Sequence, residues 1–268
     1  MPSAIAKLIR NPSKYLPYAR RAALQPLCHI FRNSSFFLQG QMDIHPRSRW
    51  RSHLRESTGG FLIAGDTTSR SVANLDAYDN TRRDMLALLL RTITVHRVPG
   101  AFAEVGVYRG WTARLLHHYA PERMLHLFDT FKGFTARAAD AEERATGLKV
   151  DSALFSDTSL ERVRRYIAPR NENVKFHPGF FPDSLPTELY QERFAFVHLD
   201  ADLYEPTMSG LEFFAPRMSP RAMIVIHDYN TWPGARKAVD EFFADRAEMP
   251  IPMPDKSGSA LVVFCTAT

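Results

Sequence analysis

The stretch at residues 104–112 constrains the fold of this chain more than any other part of its sequence. An apolar segment runs into Glu104-Val-Gly-Val-Tyr-Arg-Gly110, and 19 residues beyond Gly110 a second apolar segment ends in Asp129. The pattern predicts a strand, a turn with glycines, a helix, and a second strand that ends in a carboxylate. In such a unit the glycines admit a ligand to the backbone, the helix offers free amides, and the carboxylate accepts from ribose hydroxyls. The stretch therefore predicts a site for a nucleoside cofactor.

Glu104 narrows the choice of cofactor. It stands where dinucleotide-binding proteins carry the first glycine of their fingerprint, and a carboxylate there would repel a pyrophosphate. A cationic ligand would be attracted instead, and S-adenosylmethionine carries both an ammonium and a sulfonium group. The sequence favours S-adenosylmethionine over NAD or FAD, although an ordinary strand–turn–helix with scattered glycines would show the same residues.

Strand and helix patterns alternate from residue 102 to residue 264, and the segments that resemble strands are continuous apolar runs. This predicts a parallel sheet buried on both faces, in a doubly wound, Rossmann-like α/β fold. We expect strands at 102–105, 124–128, 174–177, 194–199, 222–226 and 260–264. We expect helices at 80–95, 112–119, 160–167, 185–192, 207–214 and 235–244. Residues 130–158 are expected to form a polar insertion, in which Asp157 and Thr158 cap the following helix.

Polar residues directly follow two of these predicted strands. Asp200 follows the strand at 194–199, and His227-Asp228 follows the strand at 222–226. The fourth and fifth strands of a doubly wound sheet are neighbours, and ligands bind at the carboxyl ends of its strands, so these residues should share one cleft. Carboxylates brought together are costly to desolvate unless a cation or a proton compensates them.

A divalent ion would resolve that conflict. Two carboxylates and an imidazole suit Mg²⁺, Mn²⁺ or a softer transition metal, and a metal-bound alcohol loses its proton more readily. The alternative is structural: Asp202 and Asp228 would cap the following turn or helix, and His227 would be a satisfied core imidazole.

A third motif follows the predicted strand at 174–177. Gly179 would let an adenine lie against the backbone, and Phe180 would cover the adenine ring. On its own this signal is weak, because Pro-Gly is a common turn.

Together these motifs resemble the macrocin O-methyltransferase family, which comprises metal-dependent sugar O-methyltransferases of macrolide and aminocoumarin biosynthesis. These enzymes are class I S-adenosylmethionine-dependent methyltransferases. The resemblance runs from about residue 78 to the C-terminus, and its most specific parts are residues 178–186 and 199–207. The matching segments are residues 104–110, 129–134, 157–159, 178–186, 199–207 and 227–229.

The resemblance implies a seven-stranded methyltransferase sheet and a role for each site residue. Glu104 and Gly106 would line the methionine end of the cofactor, with Tyr108 in the same turn, and Asp129 would hold the ribose. Asp200 would be both a metal ligand and the candidate general base. The pair after the fifth strand would complete the metal site; the family usually carries Asp-Asp there, and this chain has His227-Asp228.

We therefore expect residues 79–268 to form an S-adenosylmethionine-dependent O-methyltransferase. Its acceptor would be the hydroxyl of a sugar in a natural product or a surface glycan, and Asp200 or His227 would accept the proton. A catechol-like or other small hydroxylated acceptor would use the same chemistry. A different class also stays open, namely an inactive cofactor-binding module anchored by its N-terminal extension.

Residues 1–78 are predicted to form a basic N-terminal extension with short amphipathic helices and a loop at 39–77. Its first 55 residues contain ten Lys and Arg residues and a single acid, Asp43. Such an arm could bind an anionic membrane surface, an acidic glycan or nucleic acid, or it could be a solvated or oligomer-forming extension. We expect a homo-oligomer. No nucleic-acid-binding signature accompanies the arm.

The remaining composition predicts a cytoplasmic location. Only Cys28 and Cys265 occur, so the sequence predicts neither a disulfide framework nor a thiolate metal site. No apolar run approaches the roughly 18 residues of a membrane span, and no apolar segment typical of a signal peptide follows the first basic residues.

Overall fold

The structure is a computed structural model that describes residues 79–167 and 173–265. The predictions for the basic extension at residues 1–78 lie outside the described residues, and the boundary at residue 78 stays a prediction. Within the described part of the chain, no helix is both long and apolar enough to cross a membrane.

Seven strands form one sheet in the order β3-β2-β1-β4-β5-β7-β6. The strands are β1 Ala101–Val105, β2 Leu125–Asp129, β3 Val174–Pro178, β4 Phe194–Leu199, β5 Met218–Ile226, β6 Ile251–Pro252 and β7 Ala260–Val263. The strands β1, β2 and β4 are almost wholly buried, whereas β3 at the sheet edge is partly exposed. The seven-stranded doubly wound sheet is thus confirmed.

The expectation of a wholly parallel sheet is wrong at one end. The strands β1 to β5 pair in parallel, but β7 runs antiparallel to both β5 and β6. Only residues 253–259 connect β6 to β7. A parallel pair needs a crossover of about a dozen residues or more, so this short connection can form only an antiparallel hairpin.

Six α-helices flank the described sheet, and they lie close to the predicted segments except in two places. They are α1 Asn80–Val95, α2 Trp111–Tyr119, α3 Ala136–Thr146, α4 Leu160–Ile167, α5 Tyr204–Phe214 and α6 Pro233–Phe243. The helix expected at 185–192 is a 3-10 helix at Thr187–Gln191. Pro186 explains the difference, because a proline disfavours helical geometry in the residue before it.

The second difference is α3, which lies inside the segment predicted as a polar insertion. The hydroxyl of Thr135 accepts from the amide of Ala138 at 3.1 Å, and Gly147 ends the helix in a left-handed conformation. These residues provide the ordinary N-cap and C-cap signals. The polar composition of the segment obscured them.

The predicted cap of α4 is wrong as well. The carboxylate of Asp157 accepts from the hydroxyl of Tyr108 at 2.6 Å, and the hydroxyl of Thr158 donates to the Tyr108 carbonyl at 2.6 Å. The residue that caps α4 is Ser159, whose hydroxyl accepts from the amide of Arg162 at 3.4 Å. Asp157 and Thr158 therefore join the insertion to the turn after β1.

Glu142 fixes α3 to the segments that follow β4 and β5. Its side chain is fully buried, and Oε2 accepts from the amide of Tyr204, the first residue of α5, at 2.8 Å. A Cβ on Gly234, in the first turn of α6, would lie 2.1 Å from the same oxygen. One carboxylate thus lies at the positive ends of two helices, where a negative charge is stabilised.

We expect Glu142→Ala to lower the free energy of unfolding by about 2 kcal/mol, because it removes a fully buried side chain and leaves the partly buried amide of Tyr204 without its partner. Urea denaturation measures this change. The matched control is Glu143→Ala, since Glu143 is exposed and should contribute less than about 0.5 kcal/mol. Equal effects of the two substitutions would contradict the role of Glu142.

Candidate active site

A cavity of about 280 Å³ lies at the carboxyl ends of β1, β2, β4 and β5. This is the edge of a doubly wound sheet at which ligands bind. All of the predicted site residues line the cavity: Glu104, Gly106, Tyr108, Asp129, Gly179, Phe180, Asp200, His227 and Asp228. The structure therefore brings them together, while their individual roles stay predictions.

Gly106 allows the turn after β1 to pass against the segment after β4. Its φ of 86° lies in the left-handed region, and a Cβ there would stand 1.9 Å from the carbonyl oxygen of Asp200. No side chain fits in that space. The glycine therefore allows the turn after β1 to contact the segment that carries Asp200.

Asp129 organises the same turn. Its Oδ2 accepts from the amides of Val107 and Tyr108, at 2.7 and 2.8 Å, and its Oδ1 accepts from the amide of Phe131 at 2.5 Å. A carboxylate offers about four acceptor positions, so roughly one remains for a ligand hydroxyl. Asp129 thus has a structural role that the sequence did not indicate.

Glu104 lies deep in the sheet beside a histidine that sequence reasoning missed. The register of β1 and β4 pairs Glu104 with His198, and Glu104 Oε1 lies 2.9 Å from His198 Nδ1. Burial, and then the charge of Asp200, raises the pKa of Glu104 well above its ordinary value. Burial lowers the pKa of His198 to about 3, so this imidazole is neutral. A histidine inside an apolar strand was the signal available in the sequence.

The second oxygen of Glu104 is suited to a cationic ligand. Among the described residues, Glu104 Oε2 has no hydrogen-bond partner, although it is buried and its residue lines the cavity. A buried polar atom without a partner is costly, and a cation would supply one. The site therefore fits the ammonium or sulfonium of S-adenosylmethionine.

Gly179 and Phe180 follow β3 and lie beside Asp129. The amide of Gly179 donates to the carbonyl of Asp129 at 2.9 Å, and its φ of 144° requires glycine. The guanidinium of Arg137, from α3, lies 4.7 Å from the centre of the Phe180 ring. The arginine thus packs against this ring at the cavity wall.

The residues after β4 and β5 form a hydrogen-bonded cluster. The imidazole Nδ1 of His227 lies 2.7 Å from Asp200 Oδ1 and 2.9 Å from Asp228 Oδ2. Asp202 is buried beside them, and burial followed by the charge of Asp200 raises the pKa of Asp202 well above its ordinary value. The hydroxyl of Thr231 donates to Asp228 Oδ1 at 2.5 Å.

The charges of this cluster shift its pKa values in opposite directions. Burial alone would raise the pKa of Asp228, but hydrogen bonds from His227, Asp202 and Thr231 lower it strongly. Burial alone would lower the pKa of His227, but the charge of Asp200 and hydrogen bonds to Asp200 and Asp228 raise it to about 10. Interactions with His227 likewise hold the pKa of Asp200 below its ordinary value, against the effect of burial.

Arg82 is a further member of the cluster that sequence reasoning missed. Its Nη1 lies 2.7 Å from His227 Nε2 and 3.7 Å from Asp200 Oδ2. The positive charge of Arg82 lies against one nitrogen of His227, while the carboxylates lie against the other. Arg82 thus lowers the pKa of His227, whereas the two carboxylates raise it.

The donor set of the cluster fits a divalent ion. Asp200, His227 and Asp228 each offer a ligand atom, and these atoms lie within 4.8 Å of one another. Carboxylate oxygens with one imidazole nitrogen suit Mn²⁺ or a similar transition metal, and the oxygens suit Mg²⁺.

Known proteins with similar sequences are natural-product methyltransferases by name. The chain is 35% identical over 159 residues to the 8-demethyl-8-(2,3-dimethoxy-alpha-L-rhamnosyl)-tetracenomycin-C 4'-O-methyltransferase of Streptomyces olivaceus, over 55% of this chain and 60% of the relative. It is 32% identical over 159 residues to the demethyldecarbamoylnovobiocin O-methyltransferase of Streptomyces niveus, over 56% of this chain and 60% of the relative. The chain thus spans about 60% of the length of these curated relatives.

Two solved structures share the fold of this chain, and a family model matches most of its sequence. The O-methyltransferase NovP superposes with a TM-score of 0.61 at 28% identity, over 69% of this chain and 80% of that chain. The calicheamicin methyltransferase CalS11 shares the fold, with a TM-score of 0.57 at 18% identity over 81% of this chain and 90% of that chain. The model of the family described as Macrocin-O-methyltransferase (TylF) matches residues 56–261. The chain therefore belongs to the macrocin O-methyltransferase family.

Proposed function

We propose that the chain is an S-adenosylmethionine-dependent O-methyltransferase that acts on the hydroxyl of a sugar. One observation carries this proposal. A single cavity joins Glu104 and Asp129, from β1 and β2, to Asp200, His227 and Asp228, which follow β4 and β5. Groups suited to a cationic nucleoside and groups suited to deprotonating an alcohol therefore face the same space.

The β1 and β2 side of the cavity would hold the cofactor. S-adenosylmethionine supplies a sulfonium methyl group when it is bound. Glu104 Oε2 would accept from the ammonium, and the remaining acceptor position of Asp129 would take a ribose hydroxyl. Gly179 and Phe180 would contact the adenine. These contacts fix the direction of the methyl group, and such positioning is the main requirement of a displacement with a good leaving group.

The β4 and β5 side would accept the proton. Methyl transfer from the bound cofactor to the acceptor oxygen would release the hydroxyl proton, which Asp200 or His227 would take up. Asp200 is the better placed of the two. Its Oδ1 is engaged with His227 Nδ1, while its side chain remains 22% exposed.

A divalent ion, Mg²⁺ or Mn²⁺, belongs to this proposal. Asp200, His227 and Asp228 would hold it, since their ligand atoms converge. When bound, such an ion would lower the pKa of the acceptor hydroxyl.

The sugar acceptor is supported by the names of relatives in the family. One is a 4'-O-methyltransferase for a rhamnosyl tetracenomycin, and another is the mycinamicin III 3''-O-methyltransferase of Micromonospora griseorubida. We extend this to the present chain as a sugar hydroxyl of a natural product or a surface glycan. Membrane contact through the basic arm, a homo-oligomer and a cytoplasmic location stay predictions.

We expect Asp200→Asn to keep its affinity for S-adenosylmethionine and to lose turnover by about 100-fold or more, because an amide cannot accept the proton. Calorimetry measures the affinity, and release of S-adenosylhomocysteine with deoxysugar conjugates measures turnover. Asp245→Asn, at an exposed position, is the control. Near-wild-type turnover in Asp200→Asn would refute the assigned role.

The same assay separates the alternatives. Turnover of a catechol but of no sugar conjugate would favour the small aromatic acceptor. Cofactor binding without turnover of any acceptor, with or without Mn²⁺, would favour the inactive module.

We expect Glu104→Gln to weaken cofactor binding by about tenfold or more, since the ammonium would lose a charged partner. The same variant should unfold at an equal or higher temperature than the wild type at about pH 8, because it no longer buries an ionisable group.

The raised pKa of Glu104 determines how the stability of the protein changes with pH. The pKa of Glu104 is raised in the folded state, so above the ordinary value of 4.5 the folded protein holds a proton that the unfolded chain has released. Stability contributed by Glu104 therefore falls as pH rises through this window. Thermal unfolding of Glu104→Gln should lack that fall. Unchanged cofactor affinity would count against the role of Glu104.

A further inference from the structure

The cluster after β4 and β5 already contains a cation of its own. Arg82 Nη1 lies 2.7 Å from His227 Nε2 and 3.7 Å from Asp200 Oδ2, and the Arg82 side chain is only 13% exposed. Arg82 also lines the cavity. The guanidinium thus occupies the side of the cluster from which an ion would reach His227 Nε2.

The backbone that carries Arg82 is anchored. Asp79 caps α1, and its Oδ1 accepts from the amides of Thr81 and Arg82, at 3.0 and 3.1 Å. Its Oδ2 accepts from the amide of Lys256 at 2.7 Å. Arg82 therefore begins from a fixed backbone position and reaches the cluster through a long side chain with several rotatable bonds.

The position of Arg82 in the helix is electrostatically unfavourable. It lies in the first turn of α1, three residues after the cap Asp79. A positive charge in that turn adds to the positive end of the helix dipole. The carboxylate of Asp200 compensates this cost, so the placement depends on the cluster.

Arg82 and a metal ion would compete for the negative charge of the cluster, and for His227 if the ion bound through Nε2. An imidazole nitrogen binds a metal through its lone pair. In this structure Nδ1 of His227 lies against Asp200, and Nε2 lies against the Arg82 guanidinium. A divalent ion beside the guanidinium would also be repelled by it.

We propose that Arg82 competes with the divalent ion: its guanidinium balances the cluster in the metal-free protein and must withdraw from His227 before an ion engages Asp200, His227 and Asp228 together. This inference rests on the proposed function, because it concerns the metal site of that function. It makes Arg82 the residue that sets the metal affinity of this chain.

Calorimetric titration of the metal-free full chain with Mn²⁺ tests the proposal. We expect Arg82→Gln to bind Mn²⁺ about tenfold more tightly than the wild type, an effect of the size seen when residues around a metal site are changed. Arg114→Gln is the matched control, since Arg114 contacts Tyr166 outside the cavity and its removal takes away the same charge. An Mn²⁺ affinity in Arg82→Gln equal to or below that of the wild type overturns the proposal.

Thermal unfolding separates competition from a purely structural role. Arg82→Gln leaves two carboxylates without the guanidinium and should unfold at a lower temperature than the wild type. A ligand that binds the folded state raises the unfolding temperature, so Mn²⁺ should raise it more in this variant than in the wild type. A lowered temperature with an unchanged Mn²⁺ increment would indicate structural support alone and would overturn the proposal.

Arg82→Lys keeps the comparison possible if Arg82→Gln does not fold. Lysine keeps the charge but lacks the planar fork of arginine, so it should hold His227 less well. We expect its Mn²⁺ affinity to lie between those of the wild type and Arg82→Gln. An affinity equal to that of the wild type, when the glutamine variant cannot be measured, contradicts the proposal.

Titration of the same proteins with S-adenosylmethionine separates this inference from the proposed function. Failure of the wild type to bind the cofactor overturns the proposed function. Cofactor binding with an unchanged Mn²⁺ affinity in Arg82→Gln overturns the role of Arg82 alone. Absence of Mn²⁺ binding in both the wild type and Arg82→Gln also overturns it, because there would be no ion for Arg82 to exclude.

Discussion

The pairing of β1 with β4 is the constraint on which the cavity depends. Its register sets Glu104 opposite His198, and Gly106 then passes against the carbonyl of Asp200. Because no side chain fits between the turn after β1 and the segment after β4, the close contact between these two segments sets their separation. The positions of the remaining site residues follow from the neighbouring strands, β2 and β5, on either side of this pair.

The site gathers buried charges whose balance is incomplete without ligands. Burial makes the ionised form of Glu104 costly, and its second oxygen lacks a hydrogen-bond partner among the described residues. The cluster around His227, by contrast, is balanced by Arg82. The two ends of the cavity therefore differ. At Glu104 a cationic ligand would supply a missing partner, whereas at the cluster around His227 a metal ion would replace Arg82.

The insertion between β2 and β3 belongs to the site as much as the strands do. Glu142 of α3 holds the starts of α5 and α6, and Arg137 lies over Phe180. After the fifth strand this chain carries His227-Asp228, where the family resemblance described above implies Asp-Asp. A histidine there has two nitrogens to satisfy, and Asp200 and Arg82 satisfy them.

The sequence by itself determined the alternation of strands and helices, and it placed the polar residues at strand ends, because apolar runs and glycine turns are local signals. That was sufficient to gather all nine predicted site residues at one cavity. The contacts of Arg82, His198 and Glu142 became evident only in the tertiary structure, because their partners lie 145, 94 and 62 residues away along the chain. The antiparallel direction of β7 and the residue that caps α4 also became evident only in the tertiary structure. Contacts between distant segments depend on strand register and helix packing, and no local pattern of residues encodes them.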